Sequence, residues 1–343
     1  MAASTKLAFR CRSGLIAGMS HLLLSLLLTA VDGGTVTPHG PTTWTLSQHL
    51  APGMPERETL LKELTASGGY DAKAIGETPL TRAEAEAILD DPRAQAVYGE
   101  KTVGIVAPSM ITKQRQDHLD LMKLFLLPER VEAGAQFEAQ RRAVFDAEEA
   151  KHHVDREAII GILMWESKLG TITGDWNVFN VFTSQAYFID EASTVAMAKL
   201  DEKKLPGAAS QEKRVNTIRD RAHKNLLALL RQCKTKGIDP LTVKGSWAGA
   251  LGYPQFMPAS LRWADDGNGD GKIDLFDFDD AIFSVGRYLA AHGWAKSPKG
   301  AVWDYNHEDA YVQGVLAFAE ALKARAAADG GVVDAGTSDG GSK

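Results

Sequence analysis

The sequence predicts a mainly α protein. Three observations lead there. From Gln114 onward apolar residues recur at helical spacing, and Gly and Pro interrupt them at intervals suited to helix ends. Only residues 101–112, with Val103, Ile105 and Val106, have a β-like character. The 343 residues are 44% hydrophobic and 24% charged, enough for one buried core or two. The formal net charge of -6 supplies no basic field for nucleic acid, which is not an expected partner.

The elements follow in order. Lys6, Arg10 and Arg12 precede an apolar run from Leu15 to Ala30, interrupted by Gly18, Ser20, His21, Ser25 and Thr29. Small residues around Thr29, Ala30 and Gly33 suit a signal peptidase. Residues 1–33 therefore read as a signal peptide, or as an uncleaved signal anchor that tethers the chain to a membrane. Either exports the rest, to the periplasm or cell envelope. Cys11 lies in this segment and Cys233 would remain alone, so no intramolecular disulfide is expected in the mature chain. Cys11 does not follow the apolar run, as a lipid-bearing cysteine would.

Residues 34–113 read as a linker and an N-terminal helical region. The part from 34 to 55, rich in Thr, Pro, Gly and His, is a linker or an ordered arm. Short helical patterns span Glu58 to Leu64 and Thr81 to Leu89, where Thr81 and Glu84 have capping-box spacing. Residues 114–325 form the main helical domain, and 326–343, of Ala, Gly, Asp and Ser, read as a disordered tail. There is no internal repeat.

Within the main domain, Asp155 as N-cap and Gly170 as stop bracket a helix from Arg156 to Leu169. Glu166 lies four, three and three residues from Ile162, Leu163 and Leu169, on the apolar face. Burial there disfavours the ionised form, so the carboxyl needs a charge partner or keeps its proton. A retained proton is what a glycosidic general acid requires. A carboxyl hydrogen-bonded to a neighbouring loop for structural reasons is the other reading, and the helix alone favours it.

Two further stretches are unusual. From Gly245 to Pro258, small residues at 245, 248, 249 and 252 permit close backbone approach, while Ser246, Tyr253 and Gln255 offer hydrogen bonds among aromatics. That mixture suits a sugar cleft, and also tight helix packing. From Asp266 the sequence has oxygen ligands at Asp266, Asn268 and Asp270, Gly271 at the sixth position, the Lys272 carbonyl at the seventh and Ile273 at the eighth. This is EF-hand spacing and predicts calcium, against a solvated Asp/Gly turn. The twelfth position is Asp277 instead of Glu, so either Asp277 or Asp280 closes the site. A single loop favours a structural clip over a paired sensor.

Taken together these motifs resemble the membrane-bound lytic murein transglycosylase B family. The similarity runs from Phe125 to Glu166, through Glu166-Ser167-Lys168-Leu169-Gly170, the 245–260 segment, the calcium loop, Ala290-Ala291-His292-Gly293-Trp294 and Tyr305-Asn306-His307, in the family's order. It implies a lysozyme-like catalytic domain that cleaves peptidoglycan glycan strands between N-acetylmuramic acid and N-acetylglucosamine, leaving a 1,6-anhydro ring. By the same resemblance Glu166 would protonate the leaving oxygen and then accept the proton of the muramic C6 hydroxyl. Ser246 and Gln255 would hold the sugar, with Tyr253 beside them, and Tyr288, Tyr305 and Asn306 would line the cleft. Asp266, Asn268, Asp270, the Lys272 carbonyl and Asp280 would hold structural calcium.

Ordinary glycosidases need two carboxylates. The matched motifs contain no second one, Asp175 being the nearest candidate, which favours the lytic reaction, where the substrate supplies its own nucleophile. Ser167 stands where the family commonly has Thr, and the family's aromatic upstream of the catalytic helix has no counterpart near Leu121. A hydrolytic muramidase on the same scaffold and a calcium-dependent wall-binding protein without turnover are the alternatives.

Overall fold

Every residue from Ala158 to Ser167 is buried, and the other elements are arranged around that helix. The structure, a computed structural model, describes residues 42–45, 50–66, 78–98, 120, 122–198 and 207–333. Residues 1–33, expected to direct export, and the stretch 101–112, expected to be β-like, lie outside the described residues.

The first strand, β1 (Thr42–Thr45), pairs antiparallel with β2 (Gln95–Tyr98), Thr42 opposite Tyr98. The 34–55 arm is thus ordered over this strand. Between them α1 (Pro55–Thr65) packs on α2 (Arg82–Asp90). The capping box forms as its spacing requires: Glu84 N–H donates to Thr81 Oγ1 and Thr81 N–H to the Glu84 carboxylate. Arg57, almost fully buried, donates to both oxygens of Asp90 at 2.8 and 2.9 Å and to Leu50 O. That fork fixes the first helical pair.

From Pro128 onward the chain forms α3 (Pro128–Gln140), α4 (Arg142–His152), α5 (Arg156–Ser167), α6 (Val178–Tyr187), α7 (Ile189–Ala198) and the long α8 (Ala208–Lys236). It continues with α9 (Phe278–Ala291), α10 (Pro298–Tyr305) and α11 (Asp309–Val333). Apolar on all sides, α5 is enclosed chiefly by α11, α3 and α9, as a helix without a polar face must be. A second layer sets α6 against α8, and α4 lies on α9. A two-residue ladder, β3 (Trp176–Asn177) with β4 (Lys244–Gly245), joins the loop after α5 to the glycine-rich segment.

Two boundaries differ from the sequence expectation. Helix α5 ends at Ser167, two residues before Leu169. Helix α11 runs to Val333, so residues 326–333 are helical where a disordered tail is expected. Ala326, Ala327 and Ala328 are strong helix formers and let the helix continue. Among the described residues no helix is long and apolar enough to cross a membrane.

Candidate active site

Glu166 sits in the last turn of α5. Lys168 and Leu169 follow with φ of 50° and 51°, and Gly170 with φ of 80°. Left-handed conformation at two successive side-chain-bearing residues is unusual and concentrates strain beside the carboxyl. It also stops the helix before Leu169, and Ser167 Oγ accepts from Gly170 N–H at 3.0 Å to close the turn. At the other end Asp155 occupies the N-cap, but its carboxylate binds Lys323 Nζ at 2.7 Å instead of capping.

The Glu166 carboxyl is 2% exposed, and its Oε1 has no hydrogen-bond partner among the described residues. Burial pushes its pKa up to about 8, and the nearby Tyr311 hydroxyl partly opposes that rise. At neutral pH the group therefore retains its proton. Tyr305 and Tyr311 are themselves raised by burial and by the neighbouring carboxyl. Tyr311 is a site residue that sequence reasoning misses. Its only signal is a phenol within the apolar series Val312, Val315 and Phe318 of α11, which faces α5.

The glycine-rich segment forms a compact frame next to the end of α5. Ser246 is buried, its Oγ accepting from Ala250 N–H at 2.9 Å. Leu251 and Phe256 exchange backbone hydrogen bonds across the turn. Gln255, fully buried with φ of 52°, donates from Nε2 to Gly252 O at 2.7 Å and Thr173 O at 3.3 Å, tying the frame to the loop that leaves Glu166. Its Oε1 is buried without a partner among the described residues, an unsatisfied acceptor within the frame.

The cleft-lining candidates separate into layers. Tyr305 donates to Pro254 O at 2.5 Å and is near enough to Glu166 for that carboxyl to raise its own pKa, after burial. Tyr288 stands edge-on to Tyr305, stacks on His292 and donates to Asp304 O at 2.8 Å. Tyr253 stacks on Phe278 with ring centroids 4.1 Å apart and abuts Gly170, so its ring is part of a packed wall. Asn306 is buried directly after α10.

Burial raises Glu166 against the opposing Tyr311 hydroxyl, with no second carboxylate contributing. Asp175 is 96% exposed, its carboxylate 3.9 Å from Lys244 Nζ. A second buried carboxyl does exist. Glu148, on α4, is pushed up to about 8 chiefly by burial, meets His152 Nδ1 at 3.1 Å and packs against Gly286 of α9. It fills an interhelical gap and does not act on Glu166.

In the acidic loop, Asp266 accepts from the N–H groups of Gly269, Asp270 and Gly271, Asn268 Oδ1 from Asp270, and Asp270 Oδ1 from Lys272. Asp280 is buried and turns toward the loop, accepting from Gly267 and Asp274. Asp277 instead caps α9 by accepting from Asp279 and Asp280 N–H. Of the two candidates for closing the loop, Asp280 faces it. The donors are all hard oxygens suited to calcium. In this conformation they are turned onto the loop's own amides, and no group of three or more His, Cys, Asp or Glu gathers to hold a metal among the described residues.

Residues 77–303 match the family described as Transglycosylase SLT domain. The chain belongs to that family. Over 181 residues this SLT-domain protein is 32% identical to membrane-bound lytic murein transglycosylase B of Escherichia coli (strain K12), a match covering 52% of this chain and 43% of the relative's length. In fold it is similar to the Escherichia coli lytic transglycosylase SLT35 solved in complex with bulgecin A, with a TM-score of 0.58, 19% identity and coverage of 80% of this chain and 94% of that one. The same enzyme solved in complex with calcium matches with a TM-score of 0.56, 19% identity and the same coverage. The mainly α, lysozyme-like fold expected from the sequence is the fold found.

Proposed function

We propose that this SLT-domain protein is a lytic transglycosylase that cleaves the β-1,4 bond between N-acetylmuramic acid and N-acetylglucosamine in peptidoglycan, leaving 1,6-anhydro ends. The observation that carries the reading is the buried carboxyl of Glu166 at the end of α5, raised to about 8, with no second carboxylate acting on it. Protonated Glu166 gives its proton to the leaving glycosidic oxygen as the bond to the muramic C1 breaks. The substrate's acetamido group supports the positive charge that develops. The Glu166 carboxylate then takes the proton of the muramic C6 hydroxyl as that oxygen closes on C1. The enzyme ends as it began, protonated, and no water is consumed.

Gln255 Oε1 and Ser246 hold the sugar near the carboxyl, Tyr305 helps to enclose it, and the Tyr311 hydroxyl, which favours the ionised form, supports Glu166 once its proton has left. Asn306 and Tyr288 support the cleft wall, with Tyr253 in the adjoining stack. Asp266, Asn268, Asp270, the Lys272 carbonyl and Asp280 would hold calcium as a clip below α9, where it supplies charge neutralisation and rigidity. Export to the cell envelope is the location where the glycan substrate is found. Mass spectrometry of digested peptidoglycan tests the reading: anhydro products are one water lighter than hydrolytic ones and resist borohydride reduction. Exclusively reducible products identify a hydrolytic muramidase, and absence of any products identifies a wall-binding protein.

A further inference from the structure

We infer that Trp176 forms an outer saccharide site, stacking a pyranose ring of the glycan strand next to the pair of sugars at the scissile bond. The inference rests on the glycan-cleaving reading above and adds a binding residue to it. Trp165, Trp247 and Trp294 are buried in the core, whereas Trp176 is 37% exposed. Its position is fixed. It lies in β3 directly opposite Gly245 of β4, and the next residue along is Ser246. Gly174, two residues before it, backs onto Gly245 and Ser246 so closely that a Cβ there would stand 2.5 Å from Gly245 O.

The uncovered indole is built into the fold. A side chain on the facing strand would shield it, but position 245 must be glycine, since a Cβ would stand 2.3 Å from Ala250 O. Asp175 and Lys244, on the other face of the ladder by strand alternation, pair with each other: Lys244 Nζ donates to Asp175 O at 3.4 Å. A flat, partly uncovered apolar ring suits the apolar C–H face of a sugar.

The test uses the full chain and a peptide-free tetrasaccharide of alternating N-acetylglucosamine and N-acetylmuramic acid. In a Glu166→Gln background, saccharide binding should change the tryptophan emission, and adding Trp176→Ala should weaken binding about tenfold, with Trp176→Phe in between. In the otherwise native enzyme, Trp176→Ala should raise KM about tenfold and leave kcat within about twofold. Equal affinity and KM in the Trp176→Ala and parent proteins overturn the inference while leaving the cleavage reading intact. A loss seen only with peptide-bearing strands also overturns it, identifying a peptide site. A parent that neither binds nor cleaves the glycan overturns the cleavage reading and this inference together.

Discussion

At the residue scale, the account turns on how one carboxyl keeps its proton. Glu166 is legible in the sequence as a carboxyl on an apolar helical face, and the structure deepens this to near-complete burial. Removing the acid with Glu166→Gln should lower turnover by about 10^2 to 10^4-fold while saccharide binding persists. With the carboxyl of the free protein raised to about 8, kcat/KM should fall as pH rises through that value; a limb at the ordinary carboxylate pKa would contradict it. Since the Tyr311 hydroxyl opposes the rise, Tyr311→Phe should move that alkaline limb upward. Stability has a matching sign. Above the ordinary carboxylate pKa the unfolded chain ionises this group while the folded chain does not, so folding is progressively weakened until pH passes about 8. Glu166→Gln should therefore stabilise the protein at pH 7.5 relative to wild type, and much less at pH 4, as read by thermal melts. Tyr311 itself is not legible from spacing, because a phenol on an apolar helix face looks like any core aromatic.

At the scale of elements, capping chemistry reads well and boundaries under tertiary control read poorly. The Thr81–Glu84 box follows from local hydrogen bonding and appears as its spacing requires. The end of α5 does not: Lys168 and Leu169 adopt left-handed conformations that no local preference favours, held by the contacts of Gly170 with Tyr253 and Phe278. The choice between Asp277 and Asp280 was likewise open in the sequence, because which carboxylate caps α9 depends on where the helix starts. In the glycine-rich segment the small residues do permit close approach. Gly249 has φ of 92°, and a Cβ there would stand 2.3 Å from the Phe182 ring. Gly249→Ala should cost at least about 1–3 kcal/mol in chemical denaturation, from overpacking and a disfavoured backbone. An unchanged midpoint would show that the frame and α6 are not packed this tightly.

At the scale of the whole molecule, the mainly α class is legible because helical periodicity persists through most of the chain. The layering is not, since α5 is apolar on every side and its spacing does not say which neighbour covers which face. The acidic loop precedes α9, which packs on α4, α5 and α10, so an ion held there would act on the domain's stability. A chelator should therefore lower Tm if calcium binds the folded state alone, and calcium should restore it; identical melts would remove the ion from the account. The central claim concerns atoms: one carboxyl moves a proton out and another back, and the substrate's own oxygen closes the product. Digestion of peptidoglycan in 18O-labelled water, read by mass spectrometry with Glu166→Gln as control, tests it most directly. The account predicts anhydro ends without label from the wild type and none from the variant, whereas one 18O at each newly formed end would contradict it.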